Sequence, residues 1–120
     1  MTIAAQAGAE PIATGEVLKR STLGGATFCA GGTILDSHAS SDPAMEPYGL
    51  IDRTITCSDG TVRIGFTPNQ ADALNQMGSW TIVSGTGAFE GLQGSGDMEI
   101  VYDPDDDALA HETLTGTVTR

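Results

Sequence analysis

At 120 residues and 39% apolar content, the chain has room for one domain built on one core. Its acidic residues outnumber its basic ones sixteen to five, giving a net charge of −11. That excludes nucleic acid and anionic membrane surfaces as partners, since both require a cationic face.

Residues 1–13 read as a disordered or loosely packed lead-in, because Ala4 to Ala9 is small and rich in Gly, Ala and Gln. The stretch lacks the basic start and apolar run of a signal peptide. Localisation is therefore conditional: cytoplasmic for a chain that starts here, secreted if a leader was removed and the cysteines are oxidised. Residues 14–120 read as a single β domain. Thr14 to Arg20 predicts a first strand, and Ala26 to Asp36 a second, with Gly31-Gly32 as a bulge or bend. Ser37 to Gly49, with two prolines and several serines, is the longest irregular segment and is expected to act as a lid over the barrel mouth.

Gly49 to Cys57 and Thr61 to Thr67 predict a hairpin turning at Asp59-Gly60 through a type I′ turn. That register sets Cys57 opposite Val62, Ile55 opposite Ile64, and Arg53 opposite Phe66. One face then carries Ile51, Arg53, Ile55, Cys57, Val62, Ile64 and Phe66, apolar except for Arg53. The other carries Asp52, Thr54, Thr56 and Arg63 and is expected to meet solvent. Pro68 to Met77 predicts a short helical turn or a loop. Trp80, Ile82 and Ser84 then alternate with Thr81 and Val83 as a strand. Behind that strand come Gly85, Gly87, Gly91, Gly94 and Gly96, marking a corner, with Phe89 and Leu92 placed to plug the core. Asp97 to Tyr102 and Leu109 to Thr119 complete seven to eight strands, which fit a small antiparallel β-barrel.

The pattern W-x-I-x-x-G-T-G-x-F-x-G-L-x-G-x-G from Trp80 to Gly96 resembles the allene oxide cyclase and dirigent-like barrel superfamily. A similar glycine-corner element occurs in bacterial spirotetronate-type cyclases. The resemblance covers about twenty residues and implies a calycin-type barrel. It further implies a cofactor-independent cyclase or isomerase that folds a hydrophobic substrate inside the barrel. The alternative is a non-enzymatic exported barrel with a ligand-binding or structural role. An open apolar cavity around Arg53 favours the cyclase. A core filled by Phe28, Phe66, Trp80 and Met98, with Arg53 fully paired, favours the alternative.

On the cyclase reading, Arg53, Glu112 and Tyr102 are the candidate catalytic groups. Phe66, Trp80 and Met98 line the substrate chamber, and Tyr48 and His38 stand at its mouth. Arg53 points inward and needs acidic or carbonyl partners unless its tip reaches water at the rim. Glu112 shares the inner face of the last strand with Leu114 and Val118, leaving His111 outside. It serves either to neutralise Arg53 or as an acid or base. No cofactor, metal, nucleic-acid or membrane partner is implied, and the chain is expected to be a monomer or a homo-oligomer. Asp103, Asp105 and Asp107 imitate the start of a calcium loop, but Ala108 and Leu114 occupy positions that need Gly and Glu.

Cys29 and Cys57 are opposite each other if the strand containing Cys29 pairs antiparallel with Gly49 to Cys57. The same register pairs Thr33 with Arg53 and Leu35 with Ile51. A disulfide is expected on that geometry, against the alternative of two unrelated core thiols.

Overall fold

Hydroxyl residues alternate with apolar residues or glycine along residues 113–119, and this stretch lies in a strand of the computed structural model. The structure describes residues 2–8, 14–18, 21–23, 26–70, 75–102, 105 and 109–119. Among these residues ten strands follow in order: β1 (Thr2–Gly8), β2 (Thr14–Val17), β3 (Thr22–Leu23), β4 (Ala26–Thr27), β5 (Thr33–His38), β6 (Ile51–Cys57), β7 (Gly60–Gln70), β8 (Asn75–Gly85), β9 (Gln93–Tyr102) and β10 (Leu109–Thr119). All pairings are antiparallel. Among the described residues the only helical segments are 3-10 turns at Ala39–Ser41, Glu46–Tyr48 and Gly87–Phe89. The chain is all-β, as the strand rhythm predicts.

The strands pair in the order β1-β2-β5-β6-β7-β8-β9-β10 and return from β10 to β1, so the sheet is an eight-stranded barrel. β3 and β4 form a small side hairpin joined to β1 at Thr2 and Thr22. Closure depends on the segment expected to be a loose lead-in. Thr2–Gly8 runs beside β10 from Thr2↔Thr115 to Gly8↔Leu109 and pairs with β2 on its other side. Its sequence has few strand formers; what makes it a strand is the pair of sheet edges it joins, and tertiary pairing overrides weak propensity there.

Two register expectations are corrected. In the β6–β7 hairpin Cys57 pairs with Gly60, Ile55 with Val62 and Arg53 with Ile64, so Ser58-Asp59 form the two-residue turn. Neither residue has a positive φ, so the type I′ turn is absent. Gly60 serves close packing instead: a Cβ there would lie 2.1 Å from the Thr86 carbonyl oxygen and 3.1 Å from the Phe89 ring. The shift is two residues, so the predicted faces survive. Ile55, Val62 and Ile64 are fully buried, and Ile51 and Phe66 nearly so. The β5–β6 register is displaced by three, which reverses the β5 faces: Asp36 sits opposite Arg53, and Thr33 opposite Thr56. Ile34 and Asp36 point inward, while Leu35 is 57% exposed.

The glycine corner behaves as predicted. β8 ends at Gly85, the 3-10 turn follows, and Phe89 and Leu92 are buried in the core. Gly96 and Gly116 face each other across β9 and β10, beside the buried Trp80. A Cβ on Gly116 would come within 2.8 Å of the indole, so this glycine makes room for the largest core side chain. The expected helix or loop at Pro68 to Met77 is strand at both ends, with Pro68↔Gly78 paired. Residues 71–74 between them lie outside the described set, as do Asp103 and Asp107 of the acidic turn.

Cys29 and Cys57 form a disulfide with Cα atoms 5.1 Å apart. The bond forms without the register that suggested it. Cys29 lies before β5, in a turn where it adopts φ 53°, and the bond ties that turn to the end of β6. A cross-link between residues 28 positions apart restricts the unfolded chain and is expected to add about 3–4 kcal/mol. Reduction with dithiothreitol should lower the unfolding free energy in urea by that amount, and alkylation of unreduced protein should label no thiol in mass spectrometry. Two labelled thiols would remove the cross-link from the native fold.

Candidate functional site

The β6–β7 hairpin places Arg53 on an otherwise apolar inner face, and the barrel supplies two acids to meet it. From β5, its neighbour in the sheet, Asp36 accepts from Nε and Nη2, both at 2.7 Å. Glu112 comes from β10, four strands away around an eight-stranded ring and therefore across the bore. It accepts from Nη1 at 2.7 Å and Nη2 at 3.0 Å. The guanidinium carbon lies 4.7 Å from the centroid of Phe66, a cation–π contact on its remaining face. Arg53 is 1% exposed, Glu112 3% and Asp36 4%, so the cluster is dry.

Burial works against a charged guanidinium, but the charges and hydrogen bonds of Glu112 and Asp36 outweigh it, so the Arg53 pKa is raised. Burial is also the largest influence on Asp36. It raises the carboxyl above the ordinary value despite the opposing pull of Arg53, and the nearby charges of Glu112 and Asp52 add to the rise. Among the described residues no buried side-chain polar atom lacks a hydrogen bond. As an arrangement of groups, the cluster is an ion triad in which four of the five guanidinium N–H donors bond to acids, with a bidentate acid on each of two edges of one planar cation.

The predicted chamber residues surround this triad as packing. Phe66, Trp80 and Met98 are buried with Phe28, Ile55, Ile64 and Leu114 in one apolar cluster, and the Trp80 indole N–H donates to the Asp97 carbonyl at 2.9 Å. Tyr102 is half-buried on β9, and its hydroxyl donates to Oε1 of Gln76 on β8. Arg53 and Glu112 are thus brought together as expected, and His111 is exposed, on the outer face of β10.

His38 and Tyr48 lie elsewhere. The segment between β5 and β6 is corrected from a lid to an outer strap. Tyr48 packs over Gly65, on the outward face of β7: a Cβ on Gly65 would be 2.6 Å from the Tyr48 Cβ. Arg63 fixes the strap from the same face. It donates to Asp52 at 3.0 and 2.6 Å and to Asp42 in the strap at 2.8 Å. Asp52, expected in solvent, is therefore 7% exposed. The Ala44 backbone N–H and then Arg63 lower the Asp42 pKa. Met45 and Ala39 are buried in the strap, whereas His38 and Tyr48 are exposed.

Asp36 is the functional-site residue missed in the sequence. The usable signal was the pattern Thr33-Ile34-Leu35-Asp36 beside a buried arginine: with Ile34 inward, the acid is inward too. Among the described residues no group of three or more His, Cys, Asp or Glu side chains is placed to hold a metal ion. The chain matches no family model, no curated protein and no solved structure.

Two expectations follow from the triad. Arg53→Met leaves two buried carboxylates without their cation and should cost about 3–5 kcal/mol in urea unfolding. Replacing the whole cluster, as Asp36→Leu with Arg53→Met and Glu112→Leu, should return stability to within about 1 kcal/mol of the parent or above it. A single Arg53→Met variant as stable as the parent would remove the triad from the fold's energetics. The second expectation concerns pH. Because the folded Asp36 pKa is raised, its proton-linked stabilisation is complete below the ordinary value of 3.8 and is lost as pH rises through the raised value. Asp36→Asn lacks this linkage, so the parent's advantage over it should be greatest in acid and shrink towards neutral pH. An advantage that grows with pH in matched urea titrations would reverse the assignment.

Proposed function

We propose that the chain is a non-catalytic, disulfide-clasped barrel that works in an oxidising compartment and meets its ligands or partners through its outer surface. The observation that carries this reading is the engagement of both donor edges of Arg53 by buried acids. The one cation on the inner face of the hairpin commits four of its five N–H donors to Asp36 and Glu112, so neither two-donor fork is open to a substrate carbonyl. The side chains that a cyclisation chamber needs as walls, Phe28, Phe66, Trp80 and Met98, instead fill the bore, each 3% exposed or less. The Cys29–Cys57 bond supports the compartment, since such cross-links persist where thiols are not kept reduced. The cyclase reading rests on the glycine-corner resemblance alone and requires those side chains to vacate the bore.

Trp80 is the chain's single tryptophan and lies inside the barrel, so its emission reports on interior binding. Titration with oleate should leave the wavelength of the Trp80 emission maximum unchanged. A saturable shift with Kd below about 100 μM would overturn the reading in favour of an interior ligand.

A further inference from the structure

The outer wall carries a groove of about 560 Å3 that runs from Tyr48 over β8 and β9 to β10. Its lining includes Thr81, Gln93, Ser95, Thr117 and Thr119. The sheet registers set these residues in rows: Thr81, Ser95 and Thr117 lie side by side across three strands, and Gln93 pairs with Thr119 in the next row. In a chain of net charge −11, none of the described residues that line the groove is charged. On β9 the next row brings the first acid, where Asp97 pairs with Thr115, and at the Tyr48 end the strap's Asp42 is paired with Arg63. Strand alternation places hydroxyl and amide groups outward here, but it does not account for a neutral surface on an acidic protein.

The aromatic at the end of the groove is the second observation. The three phenylalanines and Trp80 are buried, and Tyr102 is half-buried against the core. Tyr48 is 43% exposed and stands over the groove. It is also held in place. Its backbone N–H donates to the Met45 carbonyl at 3.0 Å, its Cβ rests on Gly65, and the Asp42–Arg63 pair pins the strap that carries it. A fixed, exposed ring beside rows of groups that both donate and accept suits a ligand with one apolar face and a rim of hydroxyls.

We propose that this groove binds a neutral carbohydrate, with a pyranose ring stacked on Tyr48 and its hydroxyls bonded to Gln93, Ser95 and the threonine rows. The protein's acidic charge selects against polyuronates and sulfated glycans, which it repels. This inference goes beyond the proposed function and fails separately from it. Interior binding is read at Trp80, whereas Tyr48 lies outside the barrel wall.

The test is affinity electrophoresis in native gels containing galactomannan, laminarin or soluble xylan, with polygalacturonate as the anionic comparison. At least one neutral polysaccharide should retard the protein, and polygalacturonate should not. Tyr48→Ala should weaken that retardation about tenfold and Thr117→Val about threefold, both with unchanged Trp80 emission. Thr117→Val keeps a β-branched side chain on the strand, so it reads the loss of the hydroxyl even if Tyr48→Ala loosens the strap. Free migration in all three neutral gels would overturn the proposal. So would stronger retardation by polygalacturonate, or retention of both variants equal to the parent.

Discussion

A guanidinium in the bore of a small barrel dictates what the rest of the barrel must provide. Transfer of one such cation out of water costs several kcal/mol unless its donors are met, and at 1% exposure Arg53 is out of reach of bulk solvent. Asp36 answers from the adjacent strand and Glu112 from across the ring, so the three side chains form a strut between β5–β6 and β10. Arginine suits this position because its planar fork offers donors along two edges at once. Lysine is a point charge and cannot bridge two bidentate acids in one plane. The Phe66 ring against the guanidinium face completes the enclosure and keeps that part of the bore dry.

The same hairpin organises the outside. Arg63 lies one position from the Arg53 pair in the ladder, on the opposite face, and also holds two acids, Asp52 and Asp42. The inner cluster joins strands; the outer one fastens a strap. The environments differ, and so do the energetics. The Arg53 pairs are desolvated, with large opposing contributions from burial and attraction. The Arg63 side chain is 34% exposed, and its pairs are screened by solvent. At the tip of the hairpin the disulfide secures the Cys29 turn, and Gly60 admits the glycine corner. Inner strut, outer strap, cross-link and corner therefore converge on one supersecondary unit, the one with the clearest turn signal in the sequence.

What could be read from the sequence depended on parity. The Asp59-Gly60 turn was placed one residue late, which shifts the pairing by two and leaves every side chain on its face; Arg53 was therefore correctly placed inside. The β5 register was inferred from cysteines assumed to be directly opposed, and it missed by an odd number. That error put Leu35 inside and Asp36 outside, hiding half of the Arg53 site. A leucine 57% exposed beside an aspartate 4% exposed runs against residue preference, so hydropathy alone could not choose between the two phases. The strap was misplaced for a related reason. Its length suggested a lid, but its position follows from Arg63 and Gly65 on the outer face of β7, and from no feature of the strap alone.

Closure was the least legible element, and the ion strut supplies a physical reason for it. β1 has the composition of a linker, and a strand of that kind docks only into a slot that other contacts hold open at the correct width. The slot lies between β2 and β10. β2 is set by its pairing with β5, and β5 carries Asp36; β10 carries Glu112 directly opposite Ala5 of β1. Both walls of the slot are thus tied, within one strand pairing, to the same guanidinium. Arg53 bonds to both sides of the bore, and β1 occupies the one-strand space between β2 and β10. The backbone of Thr2–Gly8 fills the gap because its hydrogen bonds need no particular side chain.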